Sequence, residues 1–141
     1  MSDLQIRRAD WHKDNTDLRR IRESVFIQEQ GVTPEQEWDS DDVTATHFLA
    51  YEGDFAIGTA RLLADGCIGR VSVLKDWRGL HVGEQLLMAA VKEAESKGLK
   101  QQTLTAQVHA AGFYERLGFT AISDEFLEAG IPHIEMLRNS Q

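Results

Sequence analysis

A glycine-containing turn between a strand and a helix is the segment best suited to hold a ligand. The sequence from Val71 to Glu84 reads as the end of a strand, a polar turn and the start of a helix. Such a junction leaves several backbone N–H groups unpaired and directed at one point, where the helix dipole adds roughly half a positive charge. Gly79 and Gly83 let the backbone approach a phosphate or pyrophosphate closely, and Arg78 can add a charge-assisted contact. From the spacing alone, an ordinary tight connection is an equally good interpretation.

Two other phosphate-binding motifs are absent from the sequence. It contains no G-x-x-x-x-G-K-[ST], which excludes a P-loop for a magnesium nucleotide. No G-x-G-x-x-G opens the turn, as a dinucleotide-binding fold would require. The anion-binding interpretation therefore needs support from another part of the chain.

The turn resembles the acyl-CoA-binding motif of the GNAT superfamily of N-acyltransferases. That motif is an Arg or Gln followed by x-x-Gly-x-Gly/Ala after the fourth strand. Arg78, Val82 and Gly83 match it, and Gly79 completes the frequent Arg-Gly pair. His81 stands where the family usually has glycine, so its side chain must point away from a bound pyrophosphate.

A second segment, from Gln107 to Phe119, is similar to another motif of the family, Asn-x-x-Ala-x-x-x-Tyr-x-x-x-Gly-Phe. Gln107 replaces the Asn, and the other four positions match. Two motifs in the expected order are far more specific than either motif alone. The four matching positions are Ala110, Tyr114, Gly118 and Phe119.

The amino-terminal third of the chain narrows the resemblance to the ElaA-like group of bacterial GNAT proteins. An Arg…Phe…Glu…Asp pattern there is also similar to acyl-homoserine-lactone synthases, which share the fold, but those chains are longer and the match is partial. The ElaA-like resemblance rests on Arg22, Val25, Phe26, Glu29, Gln30, Glu37, Asp39, Asp42 and His47, together with the run from Glu128 to Met136.

The resemblance implies a fold and a cosubstrate. The expected architecture is a mixed α/β (α+β) GNAT-like fold, one domain over residues 1–141, with a mostly antiparallel central sheet flanked by helices. Acyl-CoA would lie between splayed fourth and fifth strands, where a backbone N–H near Val73 stabilises the oxyanion. Tyr114 would protonate the leaving thiolate, and the alternative is a core aromatic. The expected acyl-CoA contacts are Val71, Val73, Arg78, Gly79, His81, Val82, Gly83, Glu84, Gln107 and Phe113.

No single residue identifies itself as the general base that takes a proton from the attacking amine. Arg22 either pairs with an acid of the following loop or contacts the acceptor. The histidines lack H-E-x-x-H spacing and Cys67 is the only cysteine, so no metal site is predicted. Direct transfer needs no nucleophilic thiol, which leaves Cys67 as a small buried apolar residue. The candidates for the base or for acceptor contacts are Arg22, Glu29, Glu37, Asp39, His109 and His133.

The chain is acidic, with 15 Lys and Arg against 23 Asp and Glu and a formal net charge of -8. Such a surface repels phosphate backbones and anionic lipids, which disfavours nucleic acid or a membrane as a partner. Acids at five positions between Glu35 and Asp42 lie beside the expected acceptor. They suggest a cationic acceptor, and the alternative is a solvated loop. The charged start, from Met1 to Arg8, and the lack of a long apolar run predict a cytoplasmic protein.

Hydrophobic periodicity places these motifs on a mixed sheet flanked by helices. It predicts a helix over residues 16–30, capped by Asn15 or Thr16 and ended by Gly31, and another over 83–97. A short helix is predicted after Pro34 and another over 110–117, and the turn at 52–54 predicts a hairpin. The predicted strands are 4–8, 47–52, 56–63, 67–74, 103–108, 119–122 and 131–138.

Together the motifs predict an acetyl-CoA-dependent N-acetyltransferase that acts directly on a primary amine of a small cationic molecule or peptide. A non-catalytic acyl-CoA-binding sensor or partner-binding module is the alternative from a different class. Acyl-homoserine-lactone synthesis is a third hypothesis. Because family members commonly form dimers, the resemblance also implies a homodimer.

Overall fold

Two four-stranded sheets form the framework of the protein in a computed structural model that describes residues 4–140. Met1–Asp3, the beginning of the charged amino-terminal segment, and Gln141 lie outside the described residues. All neighbouring strands of the first sheet are antiparallel. In spatial order this sheet contains β1 (Leu4–Ala9), β2 (Thr46–Glu52), β3 (Phe55–Leu62) and β4 (Ile68–Val73).

The second sheet is also antiparallel, and its central strand pairs with three others. One edge of that strand pairs along its length with the strand that follows the longest helix. The opposite edge pairs with two short strands, one near each end. The four strands are β5 (Gln101–Gln107), β6 (Thr120–Ala121), β7 (Phe126–Glu128) and the central β8 (Ile131–Asn139).

The helices lie mainly before β2 and between the two sheets in the sequence. The side chain of Thr33 accepts a hydrogen bond from the N–H of Gln36, so the short helix predicted after Pro34 is confirmed with a capping box at its start. No helix in the described part of the chain is both long and apolar enough to cross a membrane. The helices are α1 (Asn15–Arg22), which continues as a π-helical segment (Glu23–Glu29), α2 (Pro34–Glu37), α3 (Val82–Ser96) and α4 (Ala111–Glu115), with 3₁₀ turns at Ser40–Val43, Lys75–Trp77 and Val108–Ala110.

The two sheets meet at the beginning of β4 and β5. Cys67 forms a parallel bridge with Thr103, whose N–H donates to the carbonyl oxygen of Gly66 at 3.1 Å. Gly66 has φ +93°, and a Cβ there would lie 2.5 Å from the carbonyl oxygen of Gln101, so the close approach requires glycine. Beyond this bridge no ladder joins β4 to β5 within residues 4–140, and a gap separates them. The predicted mixed fold with splayed fourth and fifth strands is thereby confirmed.

Helices cover both faces of the first sheet. Along β2, Phe48 and Ala50 belong to the apolar cluster that includes α3, whereas Leu49 and Tyr51 belong to the cluster that includes α1. This alternation explains why residues 48–51 of β2 form an uninterrupted apolar run. The apolar stripe predicted for α3 is fully buried and consists of Leu86, Leu87, Ala90, Val91 and Ala94.

Three local predictions differ from the structure. The first predicted helix becomes π-helical at Glu23, although Gly31, with φ +77°, ends it as predicted. Capping by Asn15 or Thr16 is wrong, because the cap position is Asp14 and its side chain makes no capping hydrogen bond. Strand β7 was not predicted, because all its residues are exposed and alternation is therefore missing.

Candidate active site

The last residue of β4 presents its backbone to the gap between the sheets. Val73 lies opposite Gly58 of β3, and the next N–H, that of Leu74, donates to the carbonyl oxygen of Ile57 at 2.8 Å. Because successive N–H groups of a strand point to opposite sides, the N–H and C=O of Val73 point away from β3. The Val73 carbonyl oxygen accepts a hydrogen bond from Nε of Arg78 at 2.9 Å. The Val73 N–H is therefore directed into the gap.

The amino terminus of α3 supplies further free N–H groups. The N–H of Gln85 donates to the carbonyl oxygen of His81 at 3.1 Å, so the three residues between them have no acceptor within the helix. His81 has φ +63° and makes no side-chain cap. Its imidazole is 75% exposed and lies 3.6 Å from the carboxylate of Glu84. The ring therefore leaves these N–H groups without a side-chain cap.

Arg78 is occupied by an ion pair in this structure. Its Nη1 lies 2.5 Å from Oε2 of Glu29, and its Nη2 lies 2.8 Å from Oε1 of the same carboxylate. The expected contact of Arg78 with an anion would thus have to compete with Glu29. The hydrogen bonds from Arg78 also lower the pKa of the Glu29 carboxyl, which makes Glu29 a weaker base than the sequence suggested.

A cavity of about 540 Å³ lies between β4 and β5. This volume is typical of a site for a small molecule. The end of the π-helical segment and the turn between β7 and β8 close its sides. Its polar lining residues include Glu37, Arg61, Arg70, Tyr114, Glu128 and His133.

Tyr114 reaches the cavity from α4. Its ring packs edge-on against Phe113 and Phe119, at centroid distances of 5.1 and 6.2 Å. Burial raises the pKa of the Tyr114 phenol, so the group keeps its proton at neutral pH. Both interpretations made from the sequence describe part of what is observed, because the ring packs on the core while the residue lines the cavity.

Arg22 lies at the centre of a buried ion cluster, formed by Arg22, Arg61, Arg70, Glu37, Asp39 and Asp42. Arg22 is fully buried, and its Nε donates to Oε2 of Glu37 at 2.7 Å. Its Nη1 donates to Oδ1 of Asp42 at 2.7 Å. The ring of Trp38 packs over the guanidinium at 5.0 Å. Of the two roles left open for Arg22, pairing with acids of the loop is the one this structure contains.

The other two arginines neutralise the rest of the ion cluster. Nη1 of Arg61 lies 2.7 Å from Asp39 and 3.0 Å from Asp42. Arg70 lies 3.2 Å from Glu37 and 3.3 Å from Asp39. Three carboxylates of the acidic run thus face three guanidinium groups, and two of the carboxylates are buried. Glu37, Asp39 and Asp42 therefore carry paired charge, whereas Glu35 and Asp41, the other two acids of the run, are exposed as in a solvated loop.

Two carboxyls of the ion cluster have opposite pKa shifts. Burial raises the pKa of Glu37, and the guanidinium groups of Arg70 and Arg22 offset this effect only in part. Burial also acts to raise the pKa of Asp42, but hydrogen bonds from Arg22 and Arg61 outweigh it and the pKa is lowered. Asp42 is therefore a permanent anion of the cluster at neutral pH.

The two candidate histidines occupy different environments. His109 is exposed and lies outside the cavity lining, with Nε2 2.7 Å from Oε1 of Gln107. His133 lines the cavity and is buried. Its Nδ1 lies 2.6 Å from the carbonyl oxygen of Ile131, and its Nε2 lies 3.7 Å from Oε2 of Glu128. The structure thus brings His133 and Tyr114 to one cavity and leaves His109 outside it.

Cys67 also lines this cavity, near the bridge between the sheets. Burial raises the pKa of its thiol, so the sulfur is not a thiolate at neutral pH. Within residues 4–140, no three His, Cys, Asp or Glu side chains are grouped as ligands of a metal ion.

The sequence as a whole matches a known enzyme family. The family model described as "Acetyltransferase (GNAT) domain" matches residues 19–139. The chain belongs to the GNAT acetyltransferase family. It is an enzyme of the GNAT N-acetyltransferase type, and acetyl-CoA is the general cosubstrate of that domain.

Relatives of this GNAT protein match almost end to end. The uncharacterized N-acetyltransferase YjcF of Bacillus subtilis is 37% identical over 123 residues, which cover 84% of this chain and 88% of the relative. Protein ElaA of Escherichia coli is 35% identical over 130 residues, 86% of this chain and 84% of ElaA. The crystal structure of ElaA superposes with a TM-score of 0.86, at 30% identity over 96% of this chain and 99% of that one. The crystal structure of an acyl-CoA N-acyltransferase from Pseudomonas aeruginosa superposes with a TM-score of 0.82, at 32% identity over 98% of this chain and 99% of that one.

The two GNAT motifs face the gap from opposite sides. The first runs from the end of β4 to the start of α3, and the second runs from the end of β5 through α4. Sequence reasoning did not select Arg61, Arg70 or Glu128 as site residues, although all three line the cavity. A signal for Arg61 was available, because it is a charged residue within the buried strand β3. Arg70 carried no comparable signal, since its partners lie more than 30 residues away in the sequence.

Proposed function

We propose that this GNAT enzyme transfers an acetyl group from acetyl-CoA to a primary amine by direct attack in a ternary complex. The observation that carries the proposal is the Val73 N–H, which points into a gap beside a cavity of small-molecule size. An N–H in this position can stabilise the negative charge that develops on the thioester oxygen. The protonated state of Cys67 supports direct attack, because a covalent acyl-enzyme would require a thiolate.

The amino terminus of α3 is the proposed site for the pyrophosphate of acetyl-CoA. The free N–H groups of Val82, Gly83 and Glu84, together with the helix dipole, favour an anion there. A Cβ at Gly83 would lie 3.8 Å from Cγ2 of Val73, so glycine keeps the space beside the strand end open. These groups fit the cosubstrate. The other proposed contacts are Val71, Arg78, Gly79, His81, Gln107 and Phe113.

Tyr114 is the proposed acid for the departing thiolate. A phenol that keeps its proton at neutral pH is a suitable donor, and burial raises the pKa of Tyr114 in this direction. The amine nitrogen forms the new C–N bond and loses one proton, the thioester C–S bond breaks, and the sulfur receives the proton of the phenol. Solvent then restores the proton of Tyr114.

The acceptor is proposed only as a primary amine that enters the cavity. The ion cluster gives no reason for a further positive charge on the acceptor, because its carboxylates are already paired with arginines. Glu37 and His133 line the cavity and are the proposed acceptor contacts. Arg22 and Asp39 have their proposed role in holding the loop that carries Glu37.

Incubation of the protein with acetyl-CoA and a panel of amines tests the proposal. Polyamines, amino acids, aminoglycosides and peptides are each mixed with acetyl-CoA, and free CoA thiol is measured with a thiol reagent. At least one amine should release thiol, with the acetylated amine confirmed by mass spectrometry. Binding of acetyl-CoA without transfer to any amine would instead favour a non-catalytic sensor.

A variant of the turn checks the cosubstrate site separately. Gly83→Trp should abolish the rise in melting temperature that acetyl-CoA causes, because the indole would fill the space against Val73. Lys92→Trp, on an exposed position of the same helix, should keep that rise. Equal stabilisation of both variants would show that acetyl-CoA binds elsewhere.

A further inference from the structure

The hairpin between β7 and β8 places a carboxylate beside the buried histidine of the cavity. Ala129 and Gly130 connect the paired residues Glu128 and Ile131, and both have positive φ, +52° and +76°. This is the two-residue turn type that matches the twist of an antiparallel hairpin. Because side chains two apart on a strand share a face, Ile131 and His133 lie on the same face, and cross-strand pairing puts Glu128 there too.

The contacts of His133 fix which ring nitrogen carries the proton. A carbonyl oxygen can only accept a hydrogen bond, so Nδ1, 2.6 Å from the oxygen of Ile131, must be the protonated nitrogen. The neutral ring therefore has its free electron pair on Nε2. The ring also stacks on Phe126, at a centroid distance of 6.2 Å and an interplanar angle of 24°. The residue is only 8% exposed and lines the cavity.

We propose that Nε2 of His133 accepts the proton that the amine loses, and that Glu128 stabilises the resulting imidazolium. This inference rests on the proposed N-acetyl transfer and adds the missing base to it. Oε2 of Glu128 lies 3.7 Å from Nε2, and its side chain is 63% exposed, so the positive charge meets a carboxylate at the solvent boundary. The other ionisable groups that face this cavity are Glu37, Arg61, Cys67, Arg70 and Tyr114.

Glu37 is the rival base in the same cavity, and its contacts argue against it. Its Oε2 accepts a hydrogen bond from Arg22 and faces Arg70, so protonation would leave the fully buried Arg22 without one of its two anions. Uncompensated buried charge is strongly unfavourable. Glu29 is held by Arg78, and His109 lies outside the cavity. His133 can accept a proton without breaking an ion pair.

The need for a base follows from the chemistry of the acceptor. A primary amine with a pKa near 10.4 is neutral in roughly one molecule of 2,500 at pH 7. Only the neutral amine attacks the thioester, after which its nitrogen must release a proton for the amide to form. His133 takes that proton from nitrogen, while the sulfur takes a different proton from Tyr114. The imidazolium then returns its proton to solvent beside Glu128.

The pH dependence of His133→Asn tests the inference. Asparagine keeps an N–H near the carbonyl of Ile131 but has no basic nitrogen in place of Nε2. With the amine that the panel identifies, kcat/KM at pH 7 should fall about 100-fold or more, with an unchanged Kd for acetyl-CoA. The deficit should shrink towards pH 9.5, because hydroxide can then take the proton from the nitrogen in place of His133. Glu128→Gln should lower kcat/KM less, by up to about 5-fold.

Two results would overturn the inference. The first is a deficit of His133→Asn that is the same at pH 7 and pH 9.5, which would indicate a purely structural role. The second is a pH-dependent deficit in Glu37→Gln with full activity in His133→Asn. His12→Asn, at an exposed position outside the cavity, is the matched control and should behave as the wild type.

Nitrogen NMR of histidine-labelled protein tests the same inference without any acceptor. In the neutral form of the ring, the resonance of Nε2 of His133, assigned by its loss in His133→Asn, should be that of an unprotonated nitrogen. A neutral ring with its proton on Nε2 would contradict the base assignment. If no amine reacts although this tautomer is found, the proposed acetyl transfer fails while the geometry stands.

Discussion

Replacement of Arg22 by methionine should destabilise the protein more than any exposed charge change. Methionine keeps an apolar stem like that of arginine, but it removes one buried counter-charge from each of Glu37 and Asp42. Loss of one partner from a buried ion pair costs about 3–5 kcal/mol. Arg70 lies 3.2 Å from Glu37 and Arg61 lies 3.0 Å from Asp42, so partial compensation remains. We therefore expect the lower value, about 3 kcal/mol, or a fall in melting temperature of roughly 6–12 °C.

The pH dependence of this loss distinguishes buried charge from lost packing. In the wild type, the pKa of Asp42 is below its ordinary value of 3.8, so its contribution to stability is present above that value and disappears as pH falls through the folded-state pKa. In Arg22→Met, burial with less compensation should raise the pKa of both carboxyls above their unfolded values. The folded variant then binds more protons than the unfolded chain, and its deficit should be smaller at pH 5 than at pH 7.

Urea unfolding at both pH values measures the effect. Arg20→Met is the matched control, because Arg20 forms a half-exposed pair with Asp17 at 3.4 Å and its loss should cost at most about 1 kcal/mol. The reasoning is refuted if Arg22→Met and Arg20→Met differ by less than 1 kcal/mol, or if the deficit of Arg22→Met grows as the pH falls.

Four further predictions concern single residues of the site and the core. Tyr114→Phe should lower kcat at least 10-fold in steady-state assays and leave the calorimetric Kd of acetyl-CoA unchanged. Full activity of this variant would show that Tyr114 is not the acid. Glu29→Ala should tighten acetyl-CoA binding by roughly 2- to 5-fold in calorimetry, because it frees Arg78. His81→Gly should raise stability in urea by about 0.5–1 kcal/mol, since φ +63° strains a residue with a Cβ. Gly58→Val should cost about 1–3 kcal/mol in the same experiment, because a Cβ there would lie 2.9 Å from Leu86.

Elements with strong local patterns could be predicted from the sequence. Helix α3, predicted over 83–97, is observed at Val82–Ser96, because its apolar residues repeat at helical spacing and nothing in its interior breaks it. The hairpin of β2 and β3 follows from a glycine turn, and Gly53 indeed has φ +61°. The π-helical segment could not be predicted, since the sequence of Glu23–Glu29 carries no signal that distinguishes i→i+5 from i→i+4 hydrogen bonding.

The candidate site was predictable only where a motif or an odd residue marked it. Tyr114 and His133 were selected and do line one cavity. The pairing of loop acids with Arg61 and Arg70 was not foreseen, because these arginines lie on strands 19 to 33 residues away from their acidic partners. The acids with which Arg61 and Arg70 pair depend on which chain segments the sheet brings together, and the local sequence does not identify those partners.

Strands β4 and β5 diverge from the parallel bridge between Cys67 and Thr103, where the two sheets are joined. The segment from Cys67 to Val73 is about 20 Å long at 3.3 Å per residue. A change of about 5° in the angle between the two strands at the bridge would therefore move Val73 by about 2 Å. At the far end of the gap, Glu29 forms an ion pair with Arg78, which follows β4. Gln30 accepts a hydrogen bond at 3.0 Å from Gln107, the last residue of β5. Glu29, at the end of the π-helical segment, and the following residue Gln30 thus connect the far ends of both strands, which limits how far the two strands can separate.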